Sequence, residues 1–177
     1  MATTVFFQRY GLLQRANERL ASTDHIADIL EILRAEARAI AQADGVAVVV
    51  REDSRVRYVG EDAISPLWTG QSFPIERCIS GIAMLKRRPI MIPNVAADIR
   101  VPYSAYLGTF VKSMAMFPLG APVPVAALGL YWREVRPLPR DVEVLMGFLA
   151  QGANAAFERL AVGAERAGAP RRAPRAA

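Results

Sequence analysis

The sequence predicts an α+β domain in which a sheet of antiparallel strands is sandwiched between terminal helices and small crossing helices. Apolar residues recur every three or four positions near both ends of the chain, as they do in amphipathic helices. Runs rich in β-branched residues fill the middle, separated by short polar, glycine or proline segments. The 177 residues, 53% of them hydrophobic, are enough for one globular core with extensions.

Two helices are predicted at the N-terminus. The first carries an apolar stripe over about two heptads, with alternate spacings of four and three, which favours packing against another helix. The stripe consists of Phe6, Tyr10, Leu13, Asn17 and Leu20. We assign residues 1–22 to this helix and interpret it as a dimerisation or linker segment. Residues 22–24 offer capping oxygens for the second helix, whose apolar face extends from Ile26 to Ile40.

The central strands and the last helix follow in order. Two β-branched runs, 46–51 and 55–59, flank a short polar turn and predict a hairpin. Glycine and proline positions then delimit an edge strand at 71–73, a helix at 78–86, a strand at 90–92, a one- or two-turn helix near 103–109, and strands at 112–119 and 125–133. Pro139 suits the first turn of the last helix, whose apolar stripe continues to Leu160.

The cysteine content and the charge distribution predict a cytoplasmic domain. Cys78 is the single cysteine, which excludes an internal disulfide framework and suits a reducing compartment. No apolar run approaches the roughly 18 residues needed to cross a bilayer, and no long apolar segment follows Met1, so neither a membrane span nor a secretory signal is expected. We assign residues 23–163 to the globular domain proper.

Residues 164–177 are predicted to form a flexible basic tail. This segment is dominated by alanine, proline and arginine and carries part of the net charge of +5. An arm that binds nucleic acid or an acidic partner is the alternative interpretation. Acids and bases interleave in the rest of the chain, so nucleic acid is not predicted as a partner.

Residues suited to catalysis are few, and an enzyme is not predicted. His25, the single histidine, lies at the start of the second helix, where a surface position is expected rather than a haem or metal ligand. One histidine and one cysteine cannot assemble a mononuclear zinc site from nitrogen and sulfur ligands within one chain. Neither a P-loop nor a G-x-S-x-G elbow is present. Cys78 is expected to pack or to line a pocket; a redox-active thiol, favoured by Arg77 and a nearby helix start, is the alternative.

A small-molecule pocket is predicted between the sheet and residues 93–110. Aromatic residues at helical spacing precede a strand with alternate methionines, and such a stripe serves either as core or as pocket lining. The predicted lining residues are Phe73, Cys78, Ile92, Tyr103, Tyr106, Phe110, Met114, Met116 and Trp132. Asp98 and Arg100 either order their own loop or contact the ligand at the mouth of the pocket.

A series of short motifs runs from residue 73 to residue 132. In order they are F-P and C-I-S-G, R-P-I-M-I-P, D-I-R-V-P, the stretch from Tyr106 to Ser113, and G-L-Y-W. This series resembles the GAF family, and especially the GAF domains that precede PAS and histidine-kinase modules in bacterial sensor proteins. The similarity spans roughly residues 29–156. The resemblance implies a six-stranded antiparallel sheet, a ligand cavity on one face, and a homodimer formed through the terminal helices.

The sequence lacks the motifs of three particular GAF classes, and this reduces the number of cofactors and activities expected for it. Bilin-binding relatives carry a Cys-His pair shortly before the position of Tyr106-Leu107, where this sequence has Pro102-Tyr103, so no covalent bilin is expected, and no haem. The related free methionine sulfoxide reductases use several cysteines, and Cys78 alone cannot form their disulfide. The N-K-x-F-D-E signature of cyclic-nucleotide GAF domains is absent.

Three functional hypotheses result. The first is a non-catalytic sensor that binds an unidentified small molecule and relays its presence through a helical dimer interface. The second is a protein interaction or dimerisation module without a ligand. The third is a redox enzyme that depends on Cys78. Because no output element is recognised after residue 160, a separate protein such as a kinase is expected to deliver the response.

Overall fold

A computed structural model describes residues 2–168 of the chain. Its elements are α1 (Ala2–Ser22), α2 (Ile26–Ala41), β1 (Gly45–Glu52), β2 (Arg55–Ala63), β3 (Ser72–Pro74), a 3-10 turn (Ile75–Arg77), α3 (Ile79–Lys86), β4 (Ile90–Ile92), a second 3-10 turn (Tyr103–Ala105), β5 (Ser113–Leu119), β6 (Ala126–Trp132) and α4 (Arg140–Gly168). The strands form one antiparallel sheet in the order β3-β2-β1-β6-β5-β4. The predicted α+β class and six-stranded sheet are confirmed.

The hairpin of β1 and β2 is longer than its β-branched runs alone predict. Asp53 occupies the turn with a φ of 52°, a left-handed conformation that aspartate adopts more readily than most residues. Pairing continues along β2 to Ala63, with a bulge at Val59 of β2, opposite the step from Val48 to Val49 of β1. The extension places Glu61 in the last residues of β2, just before the loop that leads to β3, where its carboxylate organises that loop.

One face of the sheet is covered by α2 and α4, and α1 packs against these two helices. Alternate residues of the central strands pack against the apolar stripes of these helices; the strand contribution includes Val46, Val48, Ala115, Phe117, Leu128, Leu130 and Trp132. Arg9 of α1 contacts Asp141 of α4, and Arg159 of α4 donates to the carbonyl oxygen of Leu20. These contacts show that α1 and α4 run in the same direction.

The N-terminal stripe packs inside this helical layer. Leu13 and Leu20 are buried against α2 and α4, and Phe6 packs at the edge of the same core. α1 folds back along its own chain, because the apolar faces of α2 and α4 would otherwise remain uncovered. Leu13 and Leu20 are therefore not available for the dimer contact that their spacing predicted. Tyr10 is partly exposed on the outer side of α1.

The opposite face of the sheet is covered by α3 and by two long loops, 64–71 and 93–112. A second buried cluster lies here, and its largest members are aromatic side chains and methionines. We call this side of the sheet the loop face. The predicted helix near 103–109 is reduced to the single 3-10 turn Tyr103–Ala105, and Gly108 follows with a φ of 83°.

α4 continues to Gly168, beyond the boundary at residue 163 predicted for the domain. The predicted flexible tail beyond that point, residues 169–177, lies outside the described residues. None of the helices in the described range is both long and apolar enough to span a membrane.

Candidate ligand site

The indole of Trp68 is the centre of an aromatic cluster on the loop face. Its ring centroid lies 5.0 Å from that of Tyr106, 5.4 Å from that of Tyr131 and 5.6 Å from that of Tyr58, all in edge-to-face orientation. Phe73 extends the cluster, 5.7 Å from Tyr58. Aromatic pairs in this geometry contribute about 0.5–1.5 kcal/mol each beyond the area that they bury. We call these five side chains the aromatic cluster.

The carboxylate of Glu61 holds loop 64–71, which carries Trp68. Glu61 accepts hydrogen bonds from the backbone N–H groups of Leu67, Trp68 and Thr69, at 2.9, 3.0 and 3.0 Å. Partial burial acts to raise the pKa of Glu61, but the hydrogen bonds outweigh it and hold the pKa below its ordinary value. The indole Nε1 donates to the carbonyl oxygen of Ala105 at 3.2 Å, so Trp68 also joins the two loops.

Polar groups without charge lie beneath the rings. The Ser80 hydroxyl is 3.5 Å from the Tyr58 hydroxyl and 3.4 Å from the Cys78 sulfur. The Tyr131 hydroxyl is buried near the Tyr58 hydroxyl, which influences its pKa, but it forms no hydrogen bond of normal geometry within residues 2–168. Burial raises the pKa of Tyr58 to about 12 and raises the pKa of Tyr131 well above its ordinary value. The phenols are therefore neutral at physiological pH and act only through hydrogen bonds.

Cys78 has the environment of a structural thiol. It is buried at the N-cap position of α3, and its sulfur also contacts the carbonyl oxygen of Pro74 at 3.5 Å. Burial raises the pKa of the Cys78 thiol, although the bonds from Ser80 and Gly81 oppose the shift. A raised pKa lowers the thiolate fraction, and the thiolate is the reactive form. His25 precedes α2 on the other side of the sheet and cannot serve as its base.

The open space at this site is small. A cavity of about 20 Å³ lies among Tyr58, Trp68, Phe73, Arg77, Cys78, Pro102, Ala105 and Tyr106. A volume of this size accommodates roughly one water molecule. The conformation described here is therefore closed, and a ligand larger than water requires movement of a side chain that now fills the site.

The structure brings several predicted site residues to this place. Phe73, Cys78 and Tyr106 line the cavity. Ile92, Phe110, Met114 and Met116 belong to the same loop-face core, and Met114 accepts a 3.8 Å contact from the Tyr106 hydroxyl. Tyr103 lies at the surface of the loop above, 44% exposed.

Three other predicted residues lie away from the cavity. Asp98 and Arg100 form a bidentate ion pair with N···O distances of 2.9 and 2.5 Å, which orders their own loop. That partnership raises the pKa of Arg100 and lowers the pKa of Asp98. Trp132 points to the helical face and donates from Nε1 to the carbonyl oxygen of Gln42 at 3.1 Å. Its inclusion as a lining residue does not fit its position, because Tyr131 is the neighbour that faces the loops.

Sequence reasoning missed Tyr58, Trp68 and Tyr131. For Tyr58 a signal was present, since Val56 and Tyr58 alternate with exposed arginines along β2 and indicate one buried face. Trp68 stands alone in a loop, and no periodicity applies there. Tyr131 belongs to a strand that is buried on both sides.

A second, larger recess lies on the helical side of the sheet, beside the second half of α4. It has a volume of about 330 Å³ between the start of α2, the end of β1, the turn before β6 and the second half of α4. Its lining side chains are apolar apart from Arg51 and Glu158. Apolar recesses of this kind suit a protein side chain better than a ligand that needs directed hydrogen bonds.

The described residues contain no group of three or more His, Cys, Asp or Glu side chains that could hold a metal ion. No model of a protein family matches the sequence. A comparison with curated proteins likewise finds no match.

Comparison with solved structures identifies the fold. The GAF domain of an Acinetobacter phosphoenolpyruvate-protein phosphotransferase superposes with a TM-score of 0.73 at 14% identity, covering 88% of this chain and 95% of that one. The GAF domain of a two-component sensor histidine kinase from Bacillus halodurans gives 0.65 at 14% identity, covering 80% and 99%. The predicted resemblance is confirmed at the level of fold: this chain is a GAF-fold domain.

The same fold also supports catalysis in a related structure. The free methionine-R-sulfoxide reductase from Neisseria meningitidis, solved with its substrate, superposes with a TM-score of 0.73 at 13% identity, covering 88% of this chain and 91% of that one. GAF-fold neighbours therefore include sensory domains and an enzyme, and the assignment between these classes depends on the site itself.

Proposed function

We propose that this domain is a non-catalytic sensory module that binds a small molecule on the loop face. The observation that carries the proposal is the group of three buried hydroxyls of Tyr58, Ser80 and Tyr131, of which that of Tyr131 forms no hydrogen bond of normal geometry within residues 2–168. A buried hydroxyl without a hydrogen bond costs about 1–3 kcal/mol, so a bound polar ligand that supplies the bond gains free energy. The two loops above the cluster provide a cover that can move.

The absence of catalysis is part of the proposal. Burial raises the pKa of Cys78, the neighbours of its sulfur are Ser80 and carbonyl oxygens, and no second cysteine is available for a disulfide. We propose that the domain carries neither a covalent bilin nor haem. In support, Pro102-Tyr103 stands where bilin-binding relatives have their Cys-His pair, and the cavity is far smaller than a tetrapyrrole.

A binding assay tests the ligand proposal. Native mass spectrometry of the purified protein, followed by denaturing analysis of released compounds, identifies a ligand and the oligomeric state together. A ligand specific for the folded state, at 100 times its dissociation constant, raises the free energy of unfolding by about 2.7 kcal/mol. Tyr106→Ala should abolish that increment, and Tyr103→Ala should reduce it. The control is Tyr10→Ala, on the outer side of α1. An unchanged increment in Tyr106→Ala places the pocket elsewhere.

We further propose a cytoplasmic homodimer that signals to a separate output protein such as a kinase. With Leu13 and Leu20 buried inside the chain, the outer faces of α1 and α4 supply the contact. Phe7 is 64% exposed and Phe148 49% exposed, and Val144 lies one turn before Phe148. The ion pair between Arg9 and Asp141 brings these parts of the two parallel helices together.

Sedimentation velocity tests the dimer. The double substitution of Phe7 and Phe148 by Gln should yield a monomer, because two large apolar side chains leave the interface. Leu107→Gln is the matched control, since Leu107 is equally exposed but lies on the loop face. A wild-type monomer at tens of micromolar, the range of ordinary weak dimers, contradicts the dimer. A dimer without any ligand in a broad metabolite screen favours an interaction module instead.

A further inference from the structure

We propose that the Trp68 indole plugs the ligand site, and that the ligand is an uncharged planar aromatic ring of similar size that carries an N–H donor and displaces this indole. The inference rests on the proposed function and names the class of molecule. Its starting observation is that the rings on the loop face surround a side chain from a loop, while little open space remains around it.

The walls around Trp68 select for a flat aromatic ring. Tyr58, Tyr106 and Tyr131 approach the indole edge-to-face, at interplanar angles of 61°, 70° and 66°. Three rings at such angles form a slot that matches a second aromatic ring and leaves gaps around an aliphatic chain. A ligand that replaces the indole in this slot regains the same contacts.

The polar groups select for an uncharged ligand with a donor. Ala105 offers a carbonyl oxygen that now accepts from the indole Nε1, and an N–H on the ligand takes over this bond. Beneath the rings are the hydroxyls of Tyr58, Ser80 and Tyr131 and the thiol of Cys78, all neutral. Arg77 also lines the cavity, but this residue is exposed to solvent. A charged ligand buried among the hydroxyls and the thiol would therefore lack a buried counter-ion, and an unpaired buried charge is costly.

The loop that carries Trp68 has a releasable attachment. Loop 64–71 lies between β2 and β3, and the Glu61 carboxylate holds its residues 67–69 through backbone N–H groups. Gly70 adopts a φ of 87° and donates its backbone N–H to the carbonyl oxygen of Tyr58 at 2.8 Å, so the β3 end of the loop stays joined to β2 when residues 67–69 are released. Glu61 is thus a positioning residue for the plug, and it touches neither the rings nor the cavity.

Competition between the plug and the ligand predicts a specific energetic signature. The ligand binds only those molecules in which Trp68 has left the slot. The larger the fraction of closed molecules, the higher the apparent dissociation constant of the ligand. Glu61→Gln weakens the attachment of the loop. The amide replaces one of the two accepting carboxylate oxygens by an NH2 group, which cannot accept a hydrogen bond from the backbone N–H groups of the loop. This variant should therefore bind the ligand more tightly than the wild type.

Opening of the plug can be measured without a ligand through Cys78, the single cysteine. Its thiol is buried below Trp68 and lines the same cavity. Under native conditions Glu61→Gln should react with a thiol reagent about tenfold faster than the wild type, as expected when bonds to a charged acceptor are weakened. Glu52→Gln, an equal charge change on the same hairpin, should react at the wild-type rate. An equal reaction rate in Glu61→Gln and the wild type would overturn the proposal that Trp68, held by Glu61, plugs the site.

Indole and benzofuran then test the class of ligand. Indole should bind Glu61→Gln about tenfold more tightly than the wild type, and should slow the reaction of Cys78. Benzofuran, which has the same shape but no N–H, should bind about tenfold more weakly than indole. Equal binding of both compounds, or binding of neither to Glu61→Gln, overturns the proposed class.

Trp68→Ala keeps the test decisive if Glu61→Gln does not fold. It leaves a slot that indole should fill, with protection of Cys78. A folded Trp68→Ala that excludes indole overturns the inference. A metabolite of different chemistry that protects Cys78 in the wild type, and whose binding requires Tyr106, supports the proposed function while overturning the proposed class.

Discussion

Arg9 of α1 and Asp141 of α4 form an ion pair with an N···O distance of 2.5 Å at the edge of the helical layer. The Arg9 Nε also donates to the carbonyl oxygen of Ile40, at the end of α2, at 2.7 Å. One buried arginine thus joins all three helices of this layer. Its Nη2 atom is buried without a hydrogen-bond partner in the described residues, so the charge depends on Asp141 for compensation.

This pair predicts a loss of stability in acid. Partial burial acts to raise the pKa of Asp141, but Arg9 and two backbone bonds lower it below its ordinary value. A lowered folded-state pKa contributes stability above the unfolded pKa of about 4, and that contribution disappears as pH falls through the lower folded value. Asp141 is 42% exposed, so the contribution is limited to about 1 kcal/mol.

Urea unfolding at several pH values measures this effect. Asp141→Asn should be less stable than the wild type at neutral pH, and the difference should vanish at low pH. Asp24→Asn serves as the control, because Asp24 is exposed and forms no ion pair within the described residues. A difference that stays constant from neutral to low pH would contradict the role of the Asp141 charge.

Gly81 should tolerate no side chain. A Cβ atom added there would lie 1.8 Å from the backbone oxygen of Ile75, at the junction of the 3-10 turn and α3. Gly81→Ala should destabilise the domain by about 1–3 kcal/mol or more, the usual cost of overpacking. Gly147→Ala is the opposite case, since no atom lies within 4 Å of its Cβ position in α4. It should raise stability by about 0.5–1 kcal/mol through helix propensity. Thermal unfolding of both variants checks the pair.

Because α1 packs against helices of its own chain, substitutions at different positions along α1 should change the free energy of unfolding by different amounts. Leu13→Ala and Leu20→Ala should each cost about 2–5 kcal/mol, because both side chains are buried in the helical core. Phe7→Ala should change the unfolding free energy of the monomer by less than about 0.5 kcal/mol. Equal, small effects at all three positions in denaturant titrations would mean that α1 is not docked in solution.

Removal of the Tyr131 hydroxyl should not harm the ligand-free domain. Tyr131→Phe deletes a buried hydroxyl that forms no hydrogen bond of normal geometry within residues 2–168, although the Tyr58 hydroxyl is near it, so stability should be unchanged or raised by up to about 1 kcal/mol. Ligand affinity should fall in the same variant, because the hydroxyl is a proposed contact. A loss of more than 1 kcal/mol in calorimetry without ligand would show that the hydroxyl is already bonded.

The sequence predicted the elements of the fold well because their signals are local. Stripes with spacings of three and four identified α2 and α4, and β-branched runs around a polar turn identified β1 and β2. The short strands next to proline were also predicted within a few residues. The motif around Cys78 and Gly81 was placed correctly at the start of α3, where the structure shows why glycine is required.

The site was predicted only in part, since its geometry depends on the two faces of the sheet. All residues of β6 are buried, so period-two alternation could not tell that Tyr131 faces the loops and Trp132 the helices. The same ambiguity applied to the stripe of α1, which suits either a second copy or the chain's own helices. Tertiary packing chose the latter for Leu13 and Leu20.

By itself the sequence determined the α+β class, the order of the elements and the position of the loop-face core, because hydrophobic periodicity and turn chemistry act over a few residues. Only the tertiary structure decided that Trp68 fills the space where a pocket was predicted, and that Glu61 holds it there. Contacts of one loop with two separate strands and with a second loop depend on chain topology, and no local pattern encodes them.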